Sequence, residues 1–322
     1  MKSISTLFLL VLFFTVQCSN NDTVAVSKRK NYCNEVIGVY HQKYNMNTNF
    51  IFDSSIVKLC CDTLPQVVFW ERVLQLPSDS GVINISTNRK IVHQIPSGWW
   101  KKQNDDFKVC YRDSIRQLHC LNDSVRIYFT EGKGGYYAWD SIFFIIDKAI
   151  NVFMEYNTDP WYAQAILMIE SPTGNLRSNV GARGYFQLMK NVAKKFGLTV
   201  TRHHDDRLNF EKSAMAAAML LRTICIPEAK KILDTLHIPY NESELWFKLL
   251  VMHVYHAGAY NVKRVVEKSG IKEGNMNLIY GLWQTRAGAF QSASQNYSQL
   301  VLTAFVKSYK QLGLLQCVRP KQ

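Results

Sequence analysis

Beyond its N-terminus the 322-residue chain has no apolar run of the ~20 residues that a membrane-crossing helix needs. Acids are also scarce. Asp and Glu number 25 against 38 Lys and Arg, for a formal charge of +13 and a pI near 9.3. Such an excess favours anionic partners, whether cell-wall polymers, membrane surfaces or nucleic acid. A further absence argues against nucleic acid. The basic residues are spread along the chain, with no Cys/His zinc-finger spacing, no RNP-type motif and no basic helix. An apolar content of 47% with 12% aromatics is enough for a globular core. The length suggests two domains, or one with a substantial extension.

Met1-Lys2 precedes the apolar run Leu7-Phe8-Leu9-Leu10-Val11-Leu12-Phe13-Phe14, which Thr15-Val16-Gln17-Cys18 follows. A short positive start and an apolar stretch too short to span a bilayer predict a signal peptide over 1–18. Cys18 stands where a lipoprotein signal places its acylated cysteine; the alternative is simple cleavage and secretion. Residues 19–30, with Lys28-Arg29-Lys30, read as a tether. Seven cysteines remain, five of them before residue 121. In an exported protein any bridges are expected to staple the N-terminal portion, with Cys110 and Cys120 a candidate local pair and buried free thiols the alternative. Their spacings make no zinc site.

Residues 31–135 show a mixed pattern and no catalytic motif. Val67-Val68-Phe69-Trp70 and Val125-Arg126-Ile127-Tyr128-Phe129 are candidate strands. Trp99-Trp100 is a packed aromatic pair or a sugar-stacking one. From Asp140 the chain reads as helices. The stretch 141–156 is apolar nearly all round, as a central buried helix is. Asp159-Pro160 is a helix start, with Asp as N-cap and Pro at the first position. Further helices are expected over 187–196 and 210–224, from Leu245 after an Asn241/Glu244 capping box, and over 297–311.

Glu170 is the only carboxylate between Trp161 and His204, and it closes the apolar run Ala165-Ile166-Leu167-Met168-Ile169 at the lip of a small-residue loop. A buried acid there stays protonated near neutral pH and can donate a proton. The alternative is a helix-terminal Glu facing solvent.

Three segments recur in order: Ile169-Glu170-Ser171, then SNVGARGYFQLM over 178–189, then Val254-Tyr255-His256-Ala257-Gly258. Together they resemble the lytic murein transglycosylase family, with its Glu-Ser, Gly-Ala-x-Gly-x-x-Gln-x-Met and Ala-Tyr-Asn-Ala-Gly pattern. Phe196-Gly197-Leu198, Asp206-Arg207 and Glu211-Lys212-Ser213-Ala214 between them are similar to the membrane-bound D type of that family. The resemblance covers roughly 140–310. It implies a mainly α, lysozyme-like catalytic domain over 136–322; on 31–135 it is silent, and the mixed pattern there reads as a smaller α+β N-terminal domain of its own. By the same resemblance Glu170 is the catalytic acid/base, and Ser178, Gln187, Met189, Tyr255, His256 and Tyr297 line the sugar cleft; the residues by themselves leave open a turn-forming Ser178, a loop-bracing Gln187, core tyrosines at 255 and 297 and a structural His256. His256 stands where the family has Asn, and Ala259 near its usual Pro or Glu.

Ordinary glycosidases use two carboxylates. The nearest further acids, in His203-His204-Asp205-Asp206, read as a capping loop rather than a metal site. The family manages with one Glu because the muramic acid C6 hydroxyl is the nucleophile. Peptidoglycan glycan strands are thus the expected partner, with no metal or organic cofactor, no nucleic acid, and a membrane anchor through Cys18 in a bacterial envelope facing the periplasm. Two alternatives stay open: a hydrolytic muramidase on the same fold, and a non-catalytic peptidoglycan-binding lipoprotein.

Overall fold

The computed structural model describes residues 15–17, 23–25, 28–30, 35–135, 139–170, 178 and 181–315, with backbone alone for 15–30 and 139–141. Cys18 and nearly all of the expected signal peptide lie outside them. Two short N-terminal strands pair with each other, β1 (Thr15–Gln17) and β2 (Thr23–Ala25). Within the stretch expected to be a tether, β3 (Lys28–Lys30) pairs antiparallel with β4 (Glu35–His41). A tight turn with Asn45 in the left-handed region returns the chain into β5 (Met46–Phe52), antiparallel to β4 with Glu35 opposite Phe52.

Next come α1 (Ser54–Lys58) and α2 (Pro65–Gln75). Val67-Val68-Phe69-Trp70, expected as a strand, lies inside α2. Pro65 opens this helix at a position where its missing N–H costs nothing. Gln66, Val67, Phe69, Trp70, Val73 and Leu74 are then buried at helical spacing. A second antiparallel sheet follows in the order β7-β6-β8, from β6 (Ser80–Ile85), β7 (Ile91–Pro96) and β8 (Ile127–Glu131). Its covering helices are α3 (Ser97–Lys102) and α4 (Asp105–Leu118). Trp100 is buried there while Trp99 is exposed.

Cys60, Cys61, Cys110, Cys120 and Cys225 are all free, so the Cys110–Cys120 pair does not form. Cys110 lies within α4 and Cys120 just beyond its end. Ten residues along a helix is about 15 Å, well over the ~6 Å between bridged Cα atoms. The buried Cys61 and Cys225 thiols are pushed up to about 12 by burial, which leaves them inert.

The helical part comprises α5 (Trp139–Glu155), α6 (Pro160–Glu170), α7 (Lys190–Lys195), α8 (Phe210–Leu220), α9 (Ile226–Thr235), α10 (Leu245–Ala257), α11 (Ala259–Ser269), α12 (Met276–Gln284) and α13 (Ser292–Gln311). A π-turn over Leu221–Cys225 joins α8 to α9. Pro227 sits just after it, and the wider turn absorbs the carbonyl that a proline ring would strike. Ala214, Ala216, Ala217 and Ala218 are fully buried, which lets neighbouring helices approach α8 closely.

The expected domain boundary near residue 135 does not coincide with a break in the core. Ile37, Val39, Phe50, Ile51, Ile56 and Val67 share one cluster with Ile142, Trp161, Ile166, Leu250 and Phe305. Side chains of that size each stabilise by roughly 1.5–3 kcal/mol when buried. Polar hooks reinforce the seam. The fully buried Gln164 amide of α6 accepts from Ile51 N at 2.7 Å and donates to Ile51 O at 2.9 Å, so it satisfies the open edge of β5. Asp53 N donates to the Tyr309 hydroxyl at 2.6 Å. Lys248 of α10 lies buried between Asp53 and Asp159, 3.8 and 3.6 Å away. The sheet of β6–β8 keeps a smaller cluster of its own around Ile83, Ile85, Trp100, Ile115 and Ile127.

Candidate active site

Helix α6 aims Glu170. Asp159 caps its start by accepting from Trp161 N at 2.9 Å, and every residue from Pro160 to Met168 is buried. The Trp161 ring stacks on Phe305 of α13 with centroids 5.1 Å apart. The helix is therefore fixed on all sides before it reaches Ile169 and Glu170, which are the first residues to meet solvent. The Glu170 side chain keeps some exposed surface but is crowded by protein, as an acid on a cleft floor is. Burial pushes its carboxyl up from the ordinary range, against a smaller downward pull from the Tyr297 hydroxyl. The negative end of the α6 dipole disfavours the carboxylate further.

Two other helices close on the same carboxyl. Tyr255 comes from the last turn of α10 and Tyr297 from the second turn of α13. Burial, with the Glu170 charge as the next contribution, holds both phenols well above their usual range, so both stay protonated. Tyr255 donates to the Phe186 carbonyl at 2.5 Å, which ties α10 to the loop after Glu170. The Tyr297 hydroxyl is buried and faces Glu170 without closing a hydrogen bond of ordinary geometry. His256 stacks on Tyr297, exposed on its other side. Its enclosed face lowers the imidazole below its usual pKa, so the ring is neutral at pH 7. Beneath them lies His253, fully buried. Its Nε2 lies 2.8 Å from the Ser298 hydroxyl, which also accepts from Trp283 Nε1 at 2.7 Å. Burial pushes His253 down to about 3, so it too is neutral.

Residues 171–177 and 179–180 lie outside the described residues. The rest of the loop is a braced turn. Ser178 exchanges backbone bonds with Ala182 and Gly181, and its hydroxyl accepts from Ala182 N at 2.9 Å. Gln187 takes a left-handed conformation, φ 46°, and its amide donates back to the Gly184 carbonyl at 2.8 Å. Met189 stands exposed at the start of α7. Glu170, Tyr255, His256 and Tyr297 are thus brought together, whereas Ser178 and Gln187 mainly shape the loop.

A clamp that the sequence did not reveal holds this loop. The buried Arg207 donates to the Gly181 and Leu188 carbonyls at 2.9 and 3.0 Å, while Asp205 grips its guanidinium at 2.8 Å. At Gly184, φ 80°, an added Cβ would stand 1.9 Å from the Arg207 carbonyl oxygen, so only glycine fits. Asp206 is likewise engaged, by Lys212 at 2.7 Å, Thr199 N at 2.7 Å and His204 at 2.8 Å. Both acids of that cluster therefore serve the scaffold. The one local signal that could have found it was Asp205 two residues before Arg207, a spacing that lets the carboxylate fold back onto the guanidinium.

No helix among the described residues is long and apolar enough to cross a membrane. No curated protein matches the chain. Residues 149–278, less than half of the chain, match the family model described as Transglycosylase SLT domain. The matched span holds Glu170, the Ser178–Met189 loop, Tyr255 and His256, and ends before Tyr297. That part of the chain is similar to the helical, lysozyme-like domains of lytic transglycosylases, which act on peptidoglycan.

Proposed function

We propose that the protein is a peptidoglycan lytic transglycosylase in which Glu170 is the sole acid and base. One observation carries this reading. Glu170 ends a buried helix where burial shifts its carboxyl toward the protonated form, and it is flanked by Tyr255 and Tyr297 rather than by a second acid among the described residues. The neighbouring loop 171–177, Ser-Pro-Thr-Gly-Asn-Leu-Arg, contains no acid in its sequence. A two-carboxylate mechanism needs a partner acid roughly 5–10 Å away.

In this scheme the protonated Glu170 gives its proton to the oxygen of the β-1,4 bond between N-acetylmuramic acid and N-acetylglucosamine. As that bond breaks, the acetamido group shields C1. Glu170, now a carboxylate, takes the proton of the muramic acid C6 hydroxyl as its oxygen closes on C1. The acid is regenerated, no water is consumed, and the product carries a 1,6-anhydro end. Proton transfer by one positioned group supplies ~10²–10⁴-fold. The Tyr297 hydroxyl suits this cycle, because it can donate to the carboxylate that exists between the two transfers. The net charge of +13 suits an anionic wall polymer. Export with acylation at Cys18, and so residence at a membrane of the bacterial envelope, belong to the same proposal and rest on the N-terminal sequence.

Mass spectrometry of fragments released from purified sacculi tests it. Anhydro ends, lighter by one water than reducing ends, are the expected product. Reducing ends alone would instead make the protein a hydrolytic muramidase.

A further inference from the structure

Arg89 stands on the turn between β6 and β7, in a left-handed conformation with φ 57°. Only 6% of its surface is exposed. Its Nη1 donates to Asn84 Oδ1 at 3.2 Å and its Nη2 to Asn296 Oδ1 of α13. The rings of Phe69, Trp70 and Tyr128 lie 5.2, 5.8 and 5.6 Å from its guanidinium carbon. Every one of these partners is neutral, and Nε has no partner at all. Buried cations are normally paired, because removal from water costs several kcal/mol otherwise. Here burial instead lowers the guanidinium to about 10.

Arg89 lines a cavity of about 200 Å³ together with Arg126, just before β8, and Arg286, between α12 and α13. No Asp or Glu lines it. Arg286 also has only neutral partners, Gln295 at 3.2 Å with the Tyr128 and Ser292 hydroxyls. Arg126 and Arg286 continue into an adjoining cavity of about 630 Å³, which Arg264 and Lys268 also line. Glu267, the acid there, is 3.7 Å from Lys263. Three arginines thus line one space, and no acid is among the described residues that line it with them.

We propose that Arg89, Arg126 and Arg286 form a binding site for an oxyanion, either a phosphate or a terminal carboxylate, separate from the Glu170 cleft. Guanidinium forks match the paired oxygens of both groups, and charge-assisted bonds of this kind are about twice as strong as neutral ones. The space equals several water volumes, at ~30 Å³ each, which suits the end of a small molecule or chain and not a folded partner. Its position explains what binding would do. Arg89 to Asn296, Arg286 to Tyr128, and Gln284 to the Thr87 carbonyl at 3.0 Å are among the bonds that join the β6–β8 sheet to α12 and α13. An anion held by all three arginines fastens that seam, one residue from Tyr297.

Isothermal titration and thermal melting of the full chain, in chloride buffer at constant ionic strength, test this. The probes are inorganic phosphate, a short peptide with a free C-terminal carboxylate, and the same peptide amidated. The site requires that phosphate or the free-carboxylate peptide bind with one-site stoichiometry and raise Tm. Arg126 is exposed, so Arg126→Glu keeps the fold and should weaken binding on the order of tenfold or more, whereas Arg126→Lys retains most of it. Phosphate binding alone identifies a phosphoryl ligand; peptide binding lost on amidation identifies a carboxylate. The proposal is overturned if neither probe binds with a Kd below about 10 mM, or if binding is equal in wild type and a folded Arg126→Glu.

Discussion

Tyr297 and His256 lie face to face, with ring centroids 4.2 Å apart and planes 22° from parallel. The stack covers the Tyr297 ring from the solvent side, while the buried His253 lies against it from below at 6.5 Å. Its hydroxyl is left with one direction to face, toward Glu170. The histidine that stands at the expected asparagine position therefore packs on the ring whose hydroxyl faces the acid.

Because that imidazole is neutral and works by packing, His256→Asn should leave both limbs of the kcat/KM pH profile in place. Stability should fall by about 0.5–1.5 kcal/mol, the worth of an aromatic pair. Disappearance of one limb would instead make His256 a titrating participant.

Tyr297→Phe removes the group that favours the charged form of Glu170. Its carboxyl then rises further, and since the acid must be protonated to act, the alkaline limb of activity should move to higher pH. The hydroxyl closes no ordinary hydrogen bond, so stability should change by no more than about 1 kcal/mol. A pH profile recorded beside a melting curve checks both statements.

Glu170 also sets a stability gradient. Its folded-state pKa lies above the unfolded value, so its contribution is most favourable below the unfolded pKa and is lost as pH rises through the folded one. Glu170→Gln removes the titration. The variant should melt above wild type at pH 8, with the gap closing by pH 4. An equal difference at both pH values would contradict a buried, raised acid.

Gly184→Ala forces a side chain against the Arg207 carbonyl at a positive φ. The strain should cost about 1–3 kcal/mol. Activity should drop by more than stability alone accounts for, because the Arg207 clamp that shapes the cleft loop must shift. Denaturant melts and turnover on sacculi, measured on the same preparations, separate the two effects.

The α6 start at Asp159-Pro160, its apolar face and Glu170 at its end were legible because capping and periodicity are local signals. Tyr255 and Tyr297 were placed by resemblance, from segments far apart in sequence, and the Glu170 charge acts on both phenols. The α2 segment misled because Val67-Val68-Phe69-Trp70 has strand composition, while the helix is decided by Pro65 and by burial of Trp70, whose Nε1 donates to Gln299 at 3.1 Å. The shared core was not legible either. Gln164 with Ile51 and Tyr309 with Asp53 are contacts across 113 and 256 residues, and no local pattern announces them. The Cys110–Cys120 expectation failed on helix geometry, which separates two residues that are close in sequence.

The central claim is that one carboxyl performs both proton transfers. Its most direct test is turnover of purified sacculi by wild type and Glu170→Gln, with folding and glycan binding measured on the same samples. The account predicts that the variant folds, binds glycan and loses at least ~10²–10⁴-fold in anhydro-product release. A folded Glu170→Gln protein that releases anhydro products at near wild-type rate would contradict it.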